Sequence, residues 1–137
     1  MKSLEINIPQ IVAEVSAIFS AYEDALIIND ADVLNELFWQ SQHSVRYGVA
    51  ENLYGFDAIA EYRASIKTSM AGRRLEKSVI TTYGTDFATT NTEFHGPDGT
   101  GRQSQSWVRT PEGWRIVSAH VSRYLPVGGT SVIDMQT

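Results

Sequence analysis

Apolar residues near the N-terminus recur every three or four positions, a spacing that is typical of an amphipathic helix. The series predicts a helix from about residue 9 to residue 28, with Pro9 in its first turn. Its apolar positions are Ile11, Val12, Val15, Ile18, Phe19, Tyr22, Ala25 and Leu26. Glu23 and Asp24 lie one step around the helix, and we expect both to face solvent.

The middle of the chain predicts two helices with a strand between them. Asn29 or Asp30 caps the first of these, a short helix whose apolar residues fall within 33–38. Alternation over 44–49 predicts the strand, which a turn or short hairpin arm follows, and helical spacing returns over 56–66. The first part of the chain is therefore mainly helical.

Beyond residue 74 the chain is rich in Thr, Val, Ile, Tyr and Phe, and turn signals built on Gly, Pro and Asp recur. They divide this part into four strands joined as hairpins. The predicted strands cover residues 74–83, 86–95, 101–110 and 113–124. A loop-like tail follows at 126–137. This order predicts a single α+β domain over residues 1–137, with a strongly bent, mostly antiparallel sheet wrapped over about three N-terminal helices.

The last predicted strand carries different side chains on its two faces. One face begins apolar and then turns polar, as in a strand that lines a pocket, although an exposed strand end has the same pattern. Its members are Trp114, Ile116, Ser118, His120, Ser122 and Tyr124. The opposite face is apolar between two arginines and consists of Arg115, Val117, Ala119, Val121 and Arg123. It predicts a homodimer through the convex side of the sheet, with a higher oligomer also open.

Composition narrows the classes of function. The 137 residues carry a net charge of −5 at pH 7, which argues against a nucleic-acid or anionic-membrane partner. Cysteine is absent, so a disulfide, a thiolate metal site and a cysteine nucleophile are excluded. The sequence also shows no metal-ligand spacing, phosphate-binding loop or membrane span, and its first residues lead us to expect no signal peptide. We expect a cytoplasmic protein that uses no metal and no cofactor.

Positive charge is unevenly distributed along the chain. Residues 1–61 hold ten carboxylates and only two basic residues, Lys2 and Arg46. Arg46 lies mid-strand between small neighbours on its face, and a planar guanidinium suits bidentate binding of a carboxylate. Arg46 is therefore the candidate anchor for an anionic substrate. The alternatives are a structural ion pair, for instance with Glu93, and an exposed strand arginine.

Polar and aromatic side chains complete the candidate site. Tyr22 is either an amphipathic core residue or a phenol that hydrogen-bonds a substrate carbonyl. His120 is the only histidine on a predicted pocket face, as a hydrogen-bonded pocket residue or as a group with a chemical role. Further candidates for the pocket lining are Asn91, Gln105, Trp107, Ser118 and Ser122. A slip of one residue in the register of 86–109 would reverse the face that a side chain there occupies.

Two stretches of the chain resemble a known family. Residues 44–55 contain Arg-Tyr-Gly-x-x-Glu-Asn-x-Tyr-Gly, and residues 113–122 contain Gly-Trp-Arg-Ile followed by His-Val-Ser. The second pattern resembles the ketosteroid-isomerase-like cone folds, also called nuclear transport factor-like or SnoaL-like, and implies that fold. The first resembles the AtzH-like branch associated with oxalurate and cyanuric acid catabolism. The resemblance extends over about residues 8–127.

The resemblance implies a cofactor-free amidohydrolase that converts urea-1,3-dicarboxylate to urea-1-carboxylate with loss of CO2. In that activity Arg46 binds a carboxylate, Tyr22 polarises the carbonyl or acts as an acid, and His120 positions water or shuttles a proton. The alternative is an accessory protein of oxalurate catabolism that binds a small anionic ureide without turnover. In both cases the expected ligand is a small anionic molecule of the urea type.

Overall fold

The computed structural model describes residues 3–97 and 99–124 and shows three helices and six strands within them. The helices are α1 (Pro9–Ile28), α2 (Ala31–Leu37) and α3 (Phe56–Ser65). The strands are β1 (Val45–Tyr47), β2 (Asn52–Tyr54), β3 (Arg74–Tyr83), β4 (Phe87–Gly96), β5 (Gly99–Thr110) and β6 (Gly113–Arg123). The predicted α+β order and the four long C-terminal strands are confirmed. The predicted loop at 126–137 lies outside the described residues.

Local sequence signals account for the ends of the helices. Pro9 occupies the first turn of α1, where its missing N–H is not needed. α1 ends at Asn29, whose left-handed φ of 56° lets its backbone N–H reach the last helical carbonyls. Asp30 caps α2 by accepting a hydrogen bond from the backbone N–H of Val33 at 3.2 Å. Gly55, with a φ of 88°, precedes α3.

The sheet is mixed and its strands run in the order β2-β1-β6-β5-β4-β3. β3 to β6 form the predicted antiparallel meander. β1 lies parallel to β6, with Arg46 opposite Ala119, and β2 turns back antiparallel to β1. This pairing brings the strand that carries Arg46 against the last strand of the sheet.

The hydrophobic core lies between α1 and the inner face of the sheet. Val15, Trp107 and Ile116 are fully buried in it, and Tyr22 belongs to the same cluster. Glu23 is buried as well, with 6% of its surface exposed, so the expectation that it faces solvent is wrong. A buried carboxylate requires a partner inside the fold, and Glu23 has one in the site described below.

A β-bulge interrupts β6. Ser118 pairs with Ser106, whereas Ile116 pairs with Trp107, which leaves Val117 as an extra residue on β6. Because side chains alternate along a strand, one extra residue moves every following side chain to the opposite face. The residues before and after Val117 therefore cannot share the face that simple alternation assigns to them.

The bulge corrects the predicted faces of β6. Trp114 and Ile116 are buried as predicted, but beyond the bulge Ala119 is buried, whereas Ser118 and His120 are exposed. The prediction that Ser118 and His120 lie on the pocket face is therefore wrong. The predicted partner surface loses Ala119 and Val121 for the same reason, and the homodimer itself stays a prediction.

Candidate functional site

A cavity of about 380 Å³ lies where the C-terminal end of α1, the β1–β2 turn and α3 meet the end of the sheet at which β4 turns into β5. Four arginines line it: Arg46, Arg63, Arg73 and Arg123. Glu51 is the carboxylate among its described lining residues, so positive groups outnumber negative ones. We call this space the arginine-lined cavity. An excess of guanidinium groups in a protein of net negative charge favours binding of an anion.

Arg46 reaches the cavity from β1. Its side chain is only 11% exposed, and its Nη1 lies 3.1 Å from Oε1 of Glu51. The guanidinium also stacks over the ring of Tyr62, with its Cζ 5.0 Å from the ring centroid. Arg46 thus forms the structural ion pair considered as an alternative, but its partner is Glu51 and not Glu93. The pair does not exclude a ligand, because a guanidinium has five N–H donors.

Gly48 makes room for this ion pair. The backbone N–H of Gly48 donates to the carbonyl of Glu51 at 2.8 Å, which closes the turn between β1 and β2. A Cβ atom at position 48 would collide with the Glu51 carboxylate and come within 3.0 Å of Nη1 of Arg46. The glycine therefore lets the Glu51 side chain fold back against Arg46.

Burial and charge act together on the groups around Arg46. Burial raises the pKa of the Glu51 carboxyl, but hydrogen bonds from Tyr62 and Arg46 outweigh it, and the net pKa lies below its usual value of 4.5. Burial, with a smaller part from the neighbouring Glu51, raises the pKa of the Tyr62 hydroxyl above 10. At neutral pH the site therefore holds an ionised carboxylate beside a protonated phenol.

Arg63 lies at the floor of the cavity. It is 7% exposed and sits in the last turn of α3, and its Nη2 donates to the hydroxyl of Tyr22 at 3.4 Å. Tyr22 is 2% exposed and packs edge-on against Trp107, with ring centroids 6.3 Å apart. Tyr22 thus faces the sheet and belongs to the hydrophobic core, behind Arg63, and it is not among the cavity's lining residues.

Arg73 forms a closed network with the buried Glu23. Its Nε and Nη2 donate to the two carboxylate oxygens at 2.9 and 3.3 Å, and Nε2 of Gln103 donates to Oε2 at 2.9 Å. The guanidinium lies 3.9 Å from the ring centroid of Phe94. This network explains why Glu23 tolerates burial. Because Nε and Nη2 of Arg73 already donate to the Glu23 carboxylate, we assign Arg73 a structural role in the cavity wall and not the binding of a ligand.

Three predicted site residues lie on the outer face of the sheet. His120 packs edge-on against Tyr47, with centroids 5.7 Å apart, and Asn91 is exposed and accepts a hydrogen bond from Ser104 at 2.7 Å. The prediction that Asn91 lines the pocket is wrong because its position in β4 points it outward, while neighbouring Thr90 is buried. Ser118, also outward, stays outside the cavity's lining.

Gln105 and Trp107 point inward, but into the core. Thr90 donates to Oε1 of Gln105 at 2.9 Å, and the indole N–H of Trp107 donates to the same threonine hydroxyl at 3.1 Å. Neither residue is among those that line the arginine-lined cavity, so the prediction that they line it is wrong. Ser122 does line it, together with its neighbour Val121.

Six polar residues at the site were missed by sequence reasoning, the last of which it had assigned to the partner surface: Glu51, Tyr62, Arg63, Arg73, Gln103 and Arg123. A signal for Arg63 was present, because it stands four residues after the buried Ile59 and therefore lies on the same face of α3. Glu51 stands inside the motif around Arg46, five positions from it. Arg73 precedes β3 in a segment with no regular periodicity, and its sequence carries no comparable signal.

The described ranges hold no evident place for a metal ion. Within them no group of three or more His, Asp or Glu side chains is arranged to bind one. No helix there is long and apolar enough to cross a membrane. The polar side chains that line the cavity are the four guanidinium groups, the Tyr62 phenol, the Glu51 carboxylate, the amides of Asn29 and Gln103, and threonine and serine hydroxyls.

Several proteins of known structure resemble this chain over most of its length. A 48% identical protein of unknown function from the DUF3225 family of Pectobacterium atrosepticum has a TM-score of 0.84, over 88% of this chain and 95% of that one. A cystatin-like fold protein from Burkholderia xenovorans is 46% identical, with a TM-score of 0.85 over 90% of this chain and all of its own. A nuclear transport factor 2-like protein from Salmonella enterica, at 24% identity, shares the fold, with a TM-score of 0.69 over 89% of this chain and 98% of that one.

Proteins of curated function give no match. The sequence model of the AtzH-like family, by contrast, matches residues 4–125, which include every described element of the fold. The resemblance carried by the two sequence motifs is thereby confirmed, as is the cone fold that it implied. The chain belongs to the AtzH-like family.

Proposed function

We propose that this protein is a cofactor-free amidohydrolase that converts urea-1,3-dicarboxylate to urea-1-carboxylate with loss of CO2. The observation that carries the proposal is the arginine-lined cavity, in which guanidinium groups meet inside an acidic protein. Membership of the AtzH-like family supports the same class of substrate. A small dianion offers these groups carboxylates of the planar geometry that arginine binds best.

The reaction breaks the bond between a terminal carboxyl carbon and a urea nitrogen. The carbon leaves as CO2, the bonding electron pair stays on nitrogen, and nitrogen takes up a proton, so the substrate loses one negative charge. Arg46 holds a carboxylate with the N–H groups that Glu51 leaves free. Tyr22 lies behind Arg63 and accepts its hydrogen bond, so in this proposal its hydroxyl positions that arginine, and the proton that the nitrogen takes up comes from water.

Turnover is tested directly with purified protein. We expect CO2 release from urea-1,3-dicarboxylate without matching ammonia release, and no comparable turnover of oxalurate. Heat-denatured protein measures spontaneous decay, and Arg74→Gln is a matched control, because Arg74 is exposed and pairs with Glu76 outside the cavity. CO2 release no faster than that of the denatured sample would reject the enzyme.

A second candidate function is binding of a small anionic ureide without turnover, as an accessory protein of oxalurate catabolism. The observation that favours it is the position of the histidines, since none of His43, His95 and His120 is among the cavity's described lining residues. The described lining therefore lacks the imidazole that commonly acts as a general base. Saturable binding of oxalurate by calorimetry, with no CO2 or ammonia release, would support this candidate.

A further inference from the structure

A buried guanidinium without a carboxylate partner lies at the floor of the arginine-lined cavity. Arg63 is 7% exposed, and within residues 3–97 and 99–124 no carboxylate oxygen lies within 4.0 Å of it. The side-chain hydrogen bond that it makes there is the 3.4 Å contact to the neutral hydroxyl of Tyr22. That contact is long for a hydrogen bond that involves a charged group.

The neighbouring arginines show what is missing. Arg46 has Glu51 at 3.1 Å, and Arg73 has Glu23 at 2.9 Å. A charge taken out of water without a partner is strongly unfavourable, which is why buried arginines are normally paired. Arg63 lies in the last turn of α3, where the helix dipole favours a cation, but that effect is much smaller than the cost of burial. An anion in the cavity would supply the absent partner.

We propose that Arg63 binds the second carboxylate of the substrate and makes the site select dianions over monoanions. The inference rests on the proposed function, from which it takes the substrate class. Both arginines lie close to Tyr62, since Arg46 stacks over its ring and Arg63 is the next residue of α3. Arg46, Tyr62 and Arg63 all line the same cavity, and the charge of each arginine lowers the pKa of the Tyr62 hydroxyl, against the larger effect of burial.

This arrangement also makes the site bind the substrate more tightly than the product. Urea-1,3-dicarboxylate presents two carboxylates, whereas urea-1-carboxylate and oxalurate present one. Loss of CO2 removes one of the two charge-assisted contacts, so the product binds more weakly than the substrate and leaves. Arg63 is in this account a residue that determines specificity, and Tyr22 holds it in place.

Calorimetric titration with a matched pair of stable anions tests the inference. Glutarate carries two carboxylates on a chain with as many backbone atoms as urea-1,3-dicarboxylate, and glutaramate replaces one carboxylate by a neutral amide. We expect the wild-type protein to bind glutarate at least about tenfold more tightly than glutaramate. Arg63→Gln removes that preference, and the exposed control Arg74→Gln retains it.

The ratio of the two affinities is the decisive readout, because a merely structural loss would weaken both anions alike. If Arg63→Gln does not fold, Arg63→Lys keeps the charge without the planar fork, and we expect its preference for glutarate to fall at least about threefold. An unchanged ratio in a folded variant, or a wild-type protein that binds neither anion, overturns the inference.

The outcome is separable from that of the proposed function. A preference for glutarate that depends on Arg63, in a protein that does not release CO2 from urea-1,3-dicarboxylate, supports the inference and rejects the enzyme. CO2 release with the same kcat/KM in wild type and Arg63→Gln supports the enzyme and rejects the inference about Arg63.

Discussion

The inner face of the β5–β6 hairpin has two halves, which meet at the bulge at Val117. In the first half Trp107 and Ile116 are fully buried and pack against the helices. In the second half Gln103 and Val121 border the arginine-lined cavity. We call these the closed half and the open half. They belong to the same two strands, and one extra residue separates them.

The two halves satisfy their polar groups in different ways. In the closed half the indole of Trp107 donates to Thr90, which in turn donates to Gln105 just beyond the bulge, so these buried polar groups satisfy one another. Beside the open half Arg73 has a buried carboxylate partner, whereas Arg63 has only a phenol among the described residues. We therefore assign stability to the closed half and, under the function proposed above, recognition to the open half.

The largest effect is expected from Trp107→Ala in the closed half. The substitution leaves a cavity beside Tyr22 and removes the indole donor to Thr90, so the free energy of unfolding should fall by about 3–5 kcal/mol. Urea denaturation followed by circular dichroism measures the loss. A decrease under about 1 kcal/mol would mean that the closed half is not the main source of stability.

Substitution of Arg46 tests recognition in the open half. Arg46→Lys should lower kcat/KM for urea-1,3-dicarboxylate at least about tenfold, because a point charge loses the bidentate geometry and about 1.4 kcal/mol is one decade. Arg46→Ala should lower it further. Both variants should retain the fold, as measured by Tm, with Arg74→Gln as the control. A destabilised alanine variant beside an active lysine variant would assign Arg46 to its ion pair with Glu51 alone.

A smaller effect is expected from the Glu51 carboxyl and depends on pH. Its pKa in the folded protein lies below 4.5, so the stability that it contributes is present above about pH 4.5 and is lost as the pH falls through the folded pKa. Glu51→Gln should remove this contribution, which is at most about 1 kcal/mol because the pair borders the open cavity. The Tm of the wild type should therefore exceed that of Glu51→Gln at pH 6, and this difference should shrink as the pH falls to 3. Curves of Tm against pH that run parallel for the two proteins would contradict the assignment.

The smallest effect is expected from His120→Ala on the outer face. The imidazole is exposed and contacts Tyr47, so the free energy of unfolding should change by no more than about 0.5 kcal/mol. The value of kcat/KM should stay within about threefold of wild type. A drop of tenfold or more would show that the outer face takes part in the chemistry.

Local signals predicted most of the fold. Pro9, Asp30 and Gly55 act at helix ends through their own backbone or side chain, so their effect can be inferred from a few neighbouring residues. The bulge at Val117 has no such signal. It inserts a single residue into an alternating strand. Strict alternation along β6, which ignores this residue, assigns Ser118 and His120 to the inner face.

The site was predictable only in part, because its contacts join distant segments. Arg46 was identified from its strand and its motif. Arg63 meets Tyr22 across 41 positions of sequence, and Arg73 meets Glu23 across 50. Periodicity along one element cannot report which residue of another element packs against it. The partners of the buried arginines therefore required the structure.

The parallel pairing of β1 with β6 has a consequence for the order of folding. β1 can pair with β6 only after α3 and β3 to β5 have been synthesised, because β6 follows them in the chain. A pairing between distant segments must close a long loop, and the entropy cost of that closure comes before any stabilising contact forms. Such pairings therefore tend to form late. During synthesis the helices and the first hairpins can assemble early, whereas the strand that bears Arg46 gains its place beside β6 only when the last strand has left the ribosome.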